Sequence, residues 1–295
     1  ITEELLLKTA VKADYQKQNT NENETQFEML KRYELSVEDH YELIEECKKN
    51  KIRFLSSPFD IRSINLLEKL KLKTIKIPSS EITNYPYLSL LGSLNKNLIL
   101  STGMSTLEEI ESAVNLLQKK GARDISIMHC NTEYPTPFED VNLNVISTLK
   151  KRFKLSIGYS DHTPGIIIAP AAVAAGAEII EKHFTLDNSL KGPDHLASLE
   201  PDELVEMVNH IRIIDKAKGS KIKFPTDSEI KNLKVARKSI YAKKYIKKGD
   251  SFSELNITTK RPGNGLCASN WDEILFKKSK SNYSKDDMIE LKEVK

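Results

Sequence analysis

Hydrophobic and polar positions alternate in a regular way along most of the chain. Short apolar runs rich in isoleucine and leucine are separated by longer runs with helical spacing. Six of the short runs have the composition of buried parallel strands: residues 53–58, 74–79, 98–102, 125–130, 155–160 and 178–184. This order of elements predicts consecutive parallel βα units.

The longer runs carry helix start and stop signals. Ser105 to Glu108 has the pattern of a capping box, and Gly121 follows two lysines as a helix end would. Helices are also predicted over residues 36–49 and 201–214. Residues 1–35 are mostly polar and are expected to be irregular.

Polar side chains follow nearly every predicted strand. They are Ser56 and Ser57, Ser79 to Glu81, Ser101 and Thr102, Asn131 and Thr132, Ser160 to His162, and His183 with Thr185. An open doubly wound sheet concentrates its ligand contacts at one switch point, whereas a barrel recruits residues from the C-terminal ends of many strands. The distribution therefore favours an α/β fold, a (β/α)8 TIM barrel that lacks its first two strands in this chain.

The pattern changes after residue 218. Residues 1–218 are predicted to be the N-terminally incomplete barrel domain, and the polar residues 219–236 are predicted to be a linker. Residues 237–295 contain short β-like runs between glycine-rich turns. About 60 residues make a small core, so this second domain is expected to dock on another surface.

Composition narrows the classes of function. The 295 residues carry a formal net charge of only +3, with basic residues scattered, so no nucleic-acid surface is predicted. No apolar run is long enough to cross a membrane, and no glycine-rich nucleotide loop is present. The three cysteines are far apart in sequence and predict reduced thiols in a cytoplasmic protein.

Two histidines are the first candidates for chemistry. His162 and His183 each stand at the end of a predicted strand, and the two strands are consecutive. Neighbouring parallel strands lie about 4.8 Å apart, so both imidazoles can reach one metal ion. A single histidine would more simply be a structural residue bonded to a backbone carbonyl, but two at matched positions favour a metal site with open coordination positions.

A lysine and a ring of hydroxyls form the second candidate site. Lys76 lies on a predicted strand, and the hydroxyl residues are expected around the same barrel mouth: Ser57, Ser79, Ser101, Thr132 and Ser160. Such a set can bind a phosphate or carboxylate, although serines at strand ends can also merely cap helices. Glu81 is placed to move protons, Asp194 to hold sugar hydroxyls, and Tyr134 either to stack on a sugar or to pack its loop.

Ordered motifs along the chain resemble one family. Residues 54–59 (FLSSPF), 76–81 (KIPSSE), 100–104 (LSTGM), 158–162 (GYSDH) and 181–185 (EKHFT) are similar to successive strand-end motifs of the sialic acid synthase family. Residues 260–265 (KRPGNG) resemble the antifreeze-like (SAF, β-clip) C-terminal domain of the same family. The resemblance extends from about residue 8 to the end of the chain.

The resemblance implies condensation of phosphoenolpyruvate with an open-chain N-acylated amino-hexose, giving a nine-carbon 2-keto acid and phosphate. His162 and His183 would hold a divalent metal, Mn²⁺ or Mg²⁺, and Glu81 would assist proton transfer. The residues implied in phosphoenolpyruvate binding are Lys76, Ser57, Ser79, Ser101, Thr132 and Ser160. Tyr134 and Asp194 would contact the sugar, and Arg261 would reach the site from the other subunit of a domain-swapped homodimer.

Two alternatives remain at this point. Another phosphoenolpyruvate or pyruvate barrel, such as an aldolase, would use a strand lysine without a metal pair. An inactive, truncated carbohydrate-binding fragment is the alternative outside enzymes. The acceptor also stays open among N-acetylmannosamine, a legionaminic precursor and a pseudaminic precursor, and residues 26–35 resemble the sialic and legionaminic branch.

Overall fold

The computed structural model describes residues 2–20 and 23–293. Two compact units divide the chain between Gly219 and Ser220. Within the described ranges, no helix is both long and apolar enough to cross a membrane. Residues 219–236, which are predicted to be a linker, contain the helix Asp227–Ala236.

A parallel sheet of five strands forms the centre of the first unit. The strands are β1 (Thr74–Ile77), β2 (Asn97–Ser101), β3 (Asp124–Cys130), β4 (Ser156–Asp161) and β5 (Ile179–Lys182). They are neighbours in the same order as in the sequence, and every pairing is parallel. This arrangement confirms the predicted βα units.

One ion pair reveals that the sheet is curled. Lys76 lies on β1 and Glu181 on β5, at opposite edges of the sheet, yet Nζ of Lys76 lies 2.8 Å from Oε1 of Glu181. In a flat sheet with strands about 4.8 Å apart, edges four spacings apart would be separated by about 19 Å, too far for these side chains to meet. The sheet is therefore a half-barrel, consistent with the predicted barrel fold.

The described residues of the first unit form ten α-helices. They are α1 (Thr2–Leu5), α2 (Asp14–Asn19), α3 (Gln26–Tyr33), α4 (Val37–Lys49), α5 (Ile61–Lys69), α6 (Tyr85–Ser93), α7 (Leu107–Lys120), α8 (Asn144–Phe153), α9 (Ile168–Ala175) and α10 (Pro201–Lys218). The largest core cluster joins apolar strand residues such as Ile75 and Ile127 to helix residues such as Leu88, Leu117 and Leu149. Burial of these side chains positions the strand ends that carry the polar residues.

Three expectations from the sequence are corrected. Residues 53–58 form no strand: Leu55 is 42% exposed and Pro58 has no N–H for a ladder, unlike a strand buried on both faces. The predicted capping box at Ser105 and Glu108 lies one residue later, because Thr106 and Glu109 exchange the capping hydrogen bonds. Residues 2–20 and 23–35, expected to be irregular, contain α1, α2 and α3.

The second unit has a small antiparallel core. It contains α11 (Asp227–Ala236), β6 (Ser239–Ala242), β7 (Ile257–Lys260) and α12 (Trp271–Ile274). Strands β6 and β7 pair antiparallel, and isolated bridges connect β6 to Cys267 and Met288. Phe252, Ile246 and Ile289 are fully buried between these segments. The unit agrees with the small, mostly-β domain expected from the sequence.

Candidate active site

A cavity of about 370 Å³ opens at the C-terminal ends of the parallel strands. Ten of the twelve residues selected from the sequence line it: Ser57, Lys76, Ser79, Ser101, Thr132, Tyr134, Ser160, His162, His183 and Asp194. Glu81 and Arg261 are not among the lining residues. The curled sheet thus gathers side chains that are far apart in sequence, as a barrel mouth does.

The two histidines lie side by side. The ring centroids of His162 and His183 are 5.3 Å apart, with the ring planes at 77°. Nδ1 of His162 donates to the carbonyl oxygen of Asn131 at 2.6 Å, so its Nε2 keeps a free lone pair. Burial lowers the pKa of His162 to about 4, so its ring is neutral near pH 7. Nδ1 of His183 lies 3.8 Å from Oδ2 of Asp194.

A buried ion pair holds the backbone next to both histidines. Lys182 donates to Oδ2 of Asp161 at 3.0 Å and also to the carbonyl of Thr163. Asp161 accepts from the backbone N–H and the hydroxyl of Thr163, so its charge is well satisfied. Asp161 directly precedes His162, and Lys182 directly precedes His183. Because side chains alternate across a strand, the pair lies on the opposite face of the sheet from the histidines.

A second acid–base pair lies inside the cavity. Glu181 accepts from Lys76 at 2.8 Å and from the hydroxyl of Ser160 at 2.7 Å. Although burial opposes the effect, Lys76 and Ser160 lower the pKa of the Glu181 carboxyl. Oγ of Ser160 also lies 3.3 Å from Nε2 of His162, so a row of polar groups in close contact extends from the lysine to the histidine.

Two serines differ in how their hydroxyls are satisfied. Oγ of Ser79 accepts from the backbone N–H of Gly103 at 2.9 Å and lies 3.4 Å from the sulfur of Cys130. Oγ of Ser101 is buried and has no hydrogen-bond partner within the described part of the chain. A buried hydroxyl without a partner is costly, so Ser101 supplies a polar group that a ligand in this cavity can satisfy.

Glu81 takes a different position from the one expected. It lies in a 3₁₀ turn directly after the serine pair, and its carboxylate accepts from Ser80 at 3.1 Å and from Asn84 at 2.6 Å. The side chain is buried beside the cavity and is not part of its lining. Its role in proton transfer stays a prediction. Arg261 is an exposed residue of the second unit, and its role also stays a prediction.

An aromatic group covers one side of the cavity. The ring of Tyr15 stacks on Tyr134, with centroids 5.0 Å apart and ring planes at 29°. Tyr134 in turn lies 4.1 Å from His162 and 5.4 Å, edge to face, from His183. Burial raises the pKa of Tyr134 above its usual range, so its phenol stays neutral.

Glu181 and Tyr15 are among the cavity residues that were not selected from the sequence. A signal was available for Glu181, because it stands two positions before His183 and the period of a strand places both on one face. No comparable signal exists for Tyr15, which comes from helix α2 in the segment that lacked a period. Only the folded chain brings it to the strand ends.

No group of three or more histidine, cysteine, aspartate or glutamate side chains that could hold a metal ion is found in residues 2–20 and 23–293. The histidine pair is therefore an incomplete set of ligands by itself. Two imidazoles would leave most positions of a six-coordinate ion to water and substrate.

Comparison with known proteins places this geometry in a family. The model of the NeuB family matches residues 1–223, and the model of the SAF domain matches residues 237–295. A protein named N,N'-diacetyllegionaminic acid synthase from Campylobacter jejuni is 54% identical over 282 residues, which cover 95% of this chain and 84% of that protein.

A second relative and a solved structure point to the same family. The N,N'-diacetyllegionaminic acid synthase of Legionella pneumophila is 43% identical, over 95% of this chain and 80% of that protein. The crystal structure of N-acetylneuraminic acid synthetase from Leptospira borgpetersenii, in complex with citrate, superposes with a TM-score of 0.68 at 36% identity, over 74% of this chain and 76% of that chain. The chain therefore belongs to the NeuB family and carries a SAF domain in its C-terminal part.

Proposed function

We propose that this protein condenses phosphoenolpyruvate with an open-chain acetamido-hexose to form a nine-carbon 2-keto sugar acid and phosphate. The observation that carries the proposal is the convergence, in one cavity, of a histidine pair with a lysine and an unsatisfied buried hydroxyl. The relatives named as synthases of legionaminic and neuraminic acids support the same reaction class. The acceptor that we favour is a legionaminic-type precursor, and N-acetylmannosamine is the second choice.

Phosphoenolpyruvate would bind where its anionic oxygens meet cationic and hydroxyl donors. The ammonium of Lys76 has three N–H donors, so it can keep Glu181 and still donate to a phosphate or carboxylate oxygen. Ser101 would donate its free hydroxyl to the same ligand. Ser57, Ser79, Thr132 and Ser160 are the further candidates in the lining.

The histidine pair fits a divalent cation, Mn²⁺ or Mg²⁺. The Nδ1 atom of His162 is occupied by a carbonyl oxygen, which turns a neutral Nε2 towards the cavity. The Nδ1 atom of His183 lies 3.8 Å from Oδ2 of Asp194, which is longer than a hydrogen bond but on the side where metal-binding histidines commonly have an oxygen partner. When bound, the ion supplies Lewis-acid polarisation of the sugar aldehyde.

The reaction balances with one water. The C3 carbon of phosphoenolpyruvate forms a bond to the aldehyde carbon, whose oxygen takes a proton and becomes a hydroxyl. Water adds at C2, the bond between C2 and the phosphate oxygen breaks, and phosphate leaves as the 2-keto group forms. We assign the proton transfer to Glu81, whose carboxylate is held by Ser80 and Asn84. Asp194 and Tyr134 are assigned to the sugar.

The protein would act as a cytoplasmic homodimer with exchanged SAF domains, each presenting the exposed Arg261 to the partner's cavity. A guanidinium over the sugar would help to exclude water. Mixing two inactive variants, His162→Ala and Arg261→Ala, tests this exchange. Activity returns on subunit exchange if Arg261 acts on the other subunit, and the mixture stays inactive if it acts within its own.

A product assay tests the reaction itself. The full-length protein, supplied with Mn²⁺ and phosphoenolpyruvate, should release one phosphate for each 2-keto acid formed, and only when an acetamido-hexose is present. A panel of N-acetylmannosamine and the legionaminic and pseudaminic precursors identifies the acceptor. An aldolase would instead form a Schiff base at a lysine, so covalent trapping by borohydride with pyruvate would contradict the proposal.

A further inference from the structure

Tyr15 occupies a position at the cavity that no sequence motif predicts. Helix α2 delivers its ring to the lining, against Tyr134 and beside Asp194. The role that we infer for Tyr15 rests on the proposed function, because it concerns the choice among acceptor sugars.

Helix α2 is capped at its start and attached at its end to the loop that follows β5. The side chain of Gln16 accepts from the backbone N–H of Ala13 at 3.0 Å, which caps the start of the helix. At its end, Asn19 donates to the carbonyl oxygen of Pro193 at 2.9 Å. Pro193 precedes Asp194 on the loop that follows β5. Tyr15 and Asp194 are therefore positioned relative to each other, on elements separated by almost 180 positions in sequence.

Much of the ring surface of Tyr134 is already in contact with other residues of the protein. Tyr15 lies against it at 5.0 Å, His162 at 4.1 Å and His183 at 5.4 Å. A sugar that enters the cavity can therefore contact only part of the Tyr134 ring. Tyr15 is partly buried like Tyr134 and lines the same cavity, but among the described residues it has one such ring neighbour where Tyr134 has three, so it offers the freer aromatic surface.

The phenol of Tyr15 stays uncharged in this position. Burial, reinforced by the charge of Asp194, raises its pKa to about 12. Its oxygen accepts from Nε2 of Gln16 at 3.3 Å. Tyr15 thus presents a neutral ring rather than a second anion next to Asp194, and a neutral ring favours apolar groups over hydroxyls.

We propose that Tyr15 is a specificity-determining residue, which selects acceptor sugars that carry a second acetamido group in place of a hydroxyl. The acetamido methyl would lie on the ring of Tyr15, while Asp194 takes a sugar hydroxyl or amide N–H. One or two apolar carbons in such a contact change selectivity by about 10- to 200-fold at most.

The test compares two acceptors in the full-length, Mn²⁺-supplied protein. The probes are N-acetylmannosamine and 2,4-diacetamido-2,4,6-trideoxymannose, with kcat/KM for each and KM for phosphoenolpyruvate. Tyr15→Ala should lower kcat/KM for the diacetamido sugar about tenfold more than for N-acetylmannosamine, and should leave KM for phosphoenolpyruvate unchanged. Tyr15→Phe keeps the ring and should retain the wild-type preference within about twofold.

Matched variants separate this effect from general damage. Tyr41→Ala makes the same change at an exposed position of α4 and should leave kcat/KM unchanged for both sugars. Tyr15→Leu keeps apolar bulk without an aromatic ring and serves if Tyr15→Ala lowers the melting temperature. Equal losses on both sugars, or no loss on either, would overturn the proposal.

Direct binding keeps the proposal apart from the proposed reaction. If wild-type protein forms no keto acid from either sugar, the proposed function fails. Calorimetric titration of the two sugars into wild type and Tyr15→Ala would still decide the role of Tyr15. The ratio of the two dissociation constants should fall in the variant, and an unchanged ratio would overturn the assignment.

Discussion

Two regions that contribute to the candidate active site differ in how they are supported by the rest of the fold. The ends of β4 and β5 carry His162 and His183, and the buried pair of Asp161 and Lys182 holds the backbone beside them. Helix α2 carries Tyr15 and depends on polar contacts such as that of Asn19 with Pro193. The first region is part of the sheet, whereas the second is a short helix attached to a loop.

The difference indicates that the two regions have different roles in catalysis and substrate selection. Groups that must stay within fractions of an ångström of the reacting atoms are best supported by a sheet with buried partners. Groups that choose among similar substrates can sit on elements that change without loss of the core. We therefore expect variants of the strand ends to abolish the reaction, and variants of α2 to alter mainly the sugar preference.

The largest effect should come from the histidines. His162→Ala or His183→Ala should lower turnover about a thousandfold or more and should release bound Mn²⁺, because each removes a nitrogen ligand. Turnover and Mn²⁺ content by electron paramagnetic resonance are the measurements. His210→Ala, at a partly exposed histidine of α10, is the matched control and should change neither. Full activity after exhaustive chelation would contradict the assignment.

The second-largest effect should come from loss of the buried ion pair, and it should appear in the free energy of unfolding. Lys182→Met leaves Asp161 charged and buried without its partner, which should lower the free energy of unfolding by about 3–5 kcal/mol. The exposed pair of Lys150 and Glu178 provides the control, since Lys150→Met should cost less than about 1 kcal/mol. Urea denaturation measures both. Equal losses would show that the strand ends are not specially supported.

Lys76 should have an intermediate effect that is confined to one substrate. Lys76→Ala removes a charge-assisted contact worth about 1.5–3 kcal/mol, so phosphoenolpyruvate should bind roughly 10- to 150-fold more weakly. Sugar binding should change far less. Lys119→Ala, at an exposed position of α7, is the control. Unchanged kinetic constants for phosphoenolpyruvate would place Lys76 outside its binding site.

The smallest effect should come from the attachment of α2. Asn19→Ala removes the hydrogen bond to the carbonyl of Pro193, worth about 0.5–1.5 kcal/mol. KM for the sugar should rise a few-fold, while KM for phosphoenolpyruvate should stay constant. Steady-state kinetics with each substrate varied in turn would detect this. A loss shared by both substrates would mean that α2 supports the whole site.

The sequence predicts the strand-end part of this site because a strand has a fixed period. Ser160 and His162 share one face of β4 or its end, and the same rule would have identified Glu181 from His183. It fails for residues 53–58, where an apolar run ends in two serines and a proline and forms no ladder. Hydrophobic content alone did not distinguish that segment from a buried strand.

The position of Tyr15 in the cavity could not be predicted from local sequence patterns. Its contact with Tyr134 joins residues 119 positions apart, and the bond that attaches its helix to the rest of the fold ends on Pro193. Neither composition nor periodicity reports such long-range contacts. The acceptor sugar is thus the part of the function that sequence reasoning left open, and the fold supplies the candidate residue.

The fate of the bridging oxygen of phosphoenolpyruvate tests the central claim most directly. The claim is that C2 is attacked by water and that the bond between C2 and the bridging oxygen breaks. With ¹⁸O in that position, an acetamido-hexose and Mn²⁺, mass spectrometry should find the label in the released phosphate and a nine-carbon keto acid formed in equal amount. Label retained in pyruvate or in the keto acid, or phosphate released without sugar, would contradict the proposed reaction.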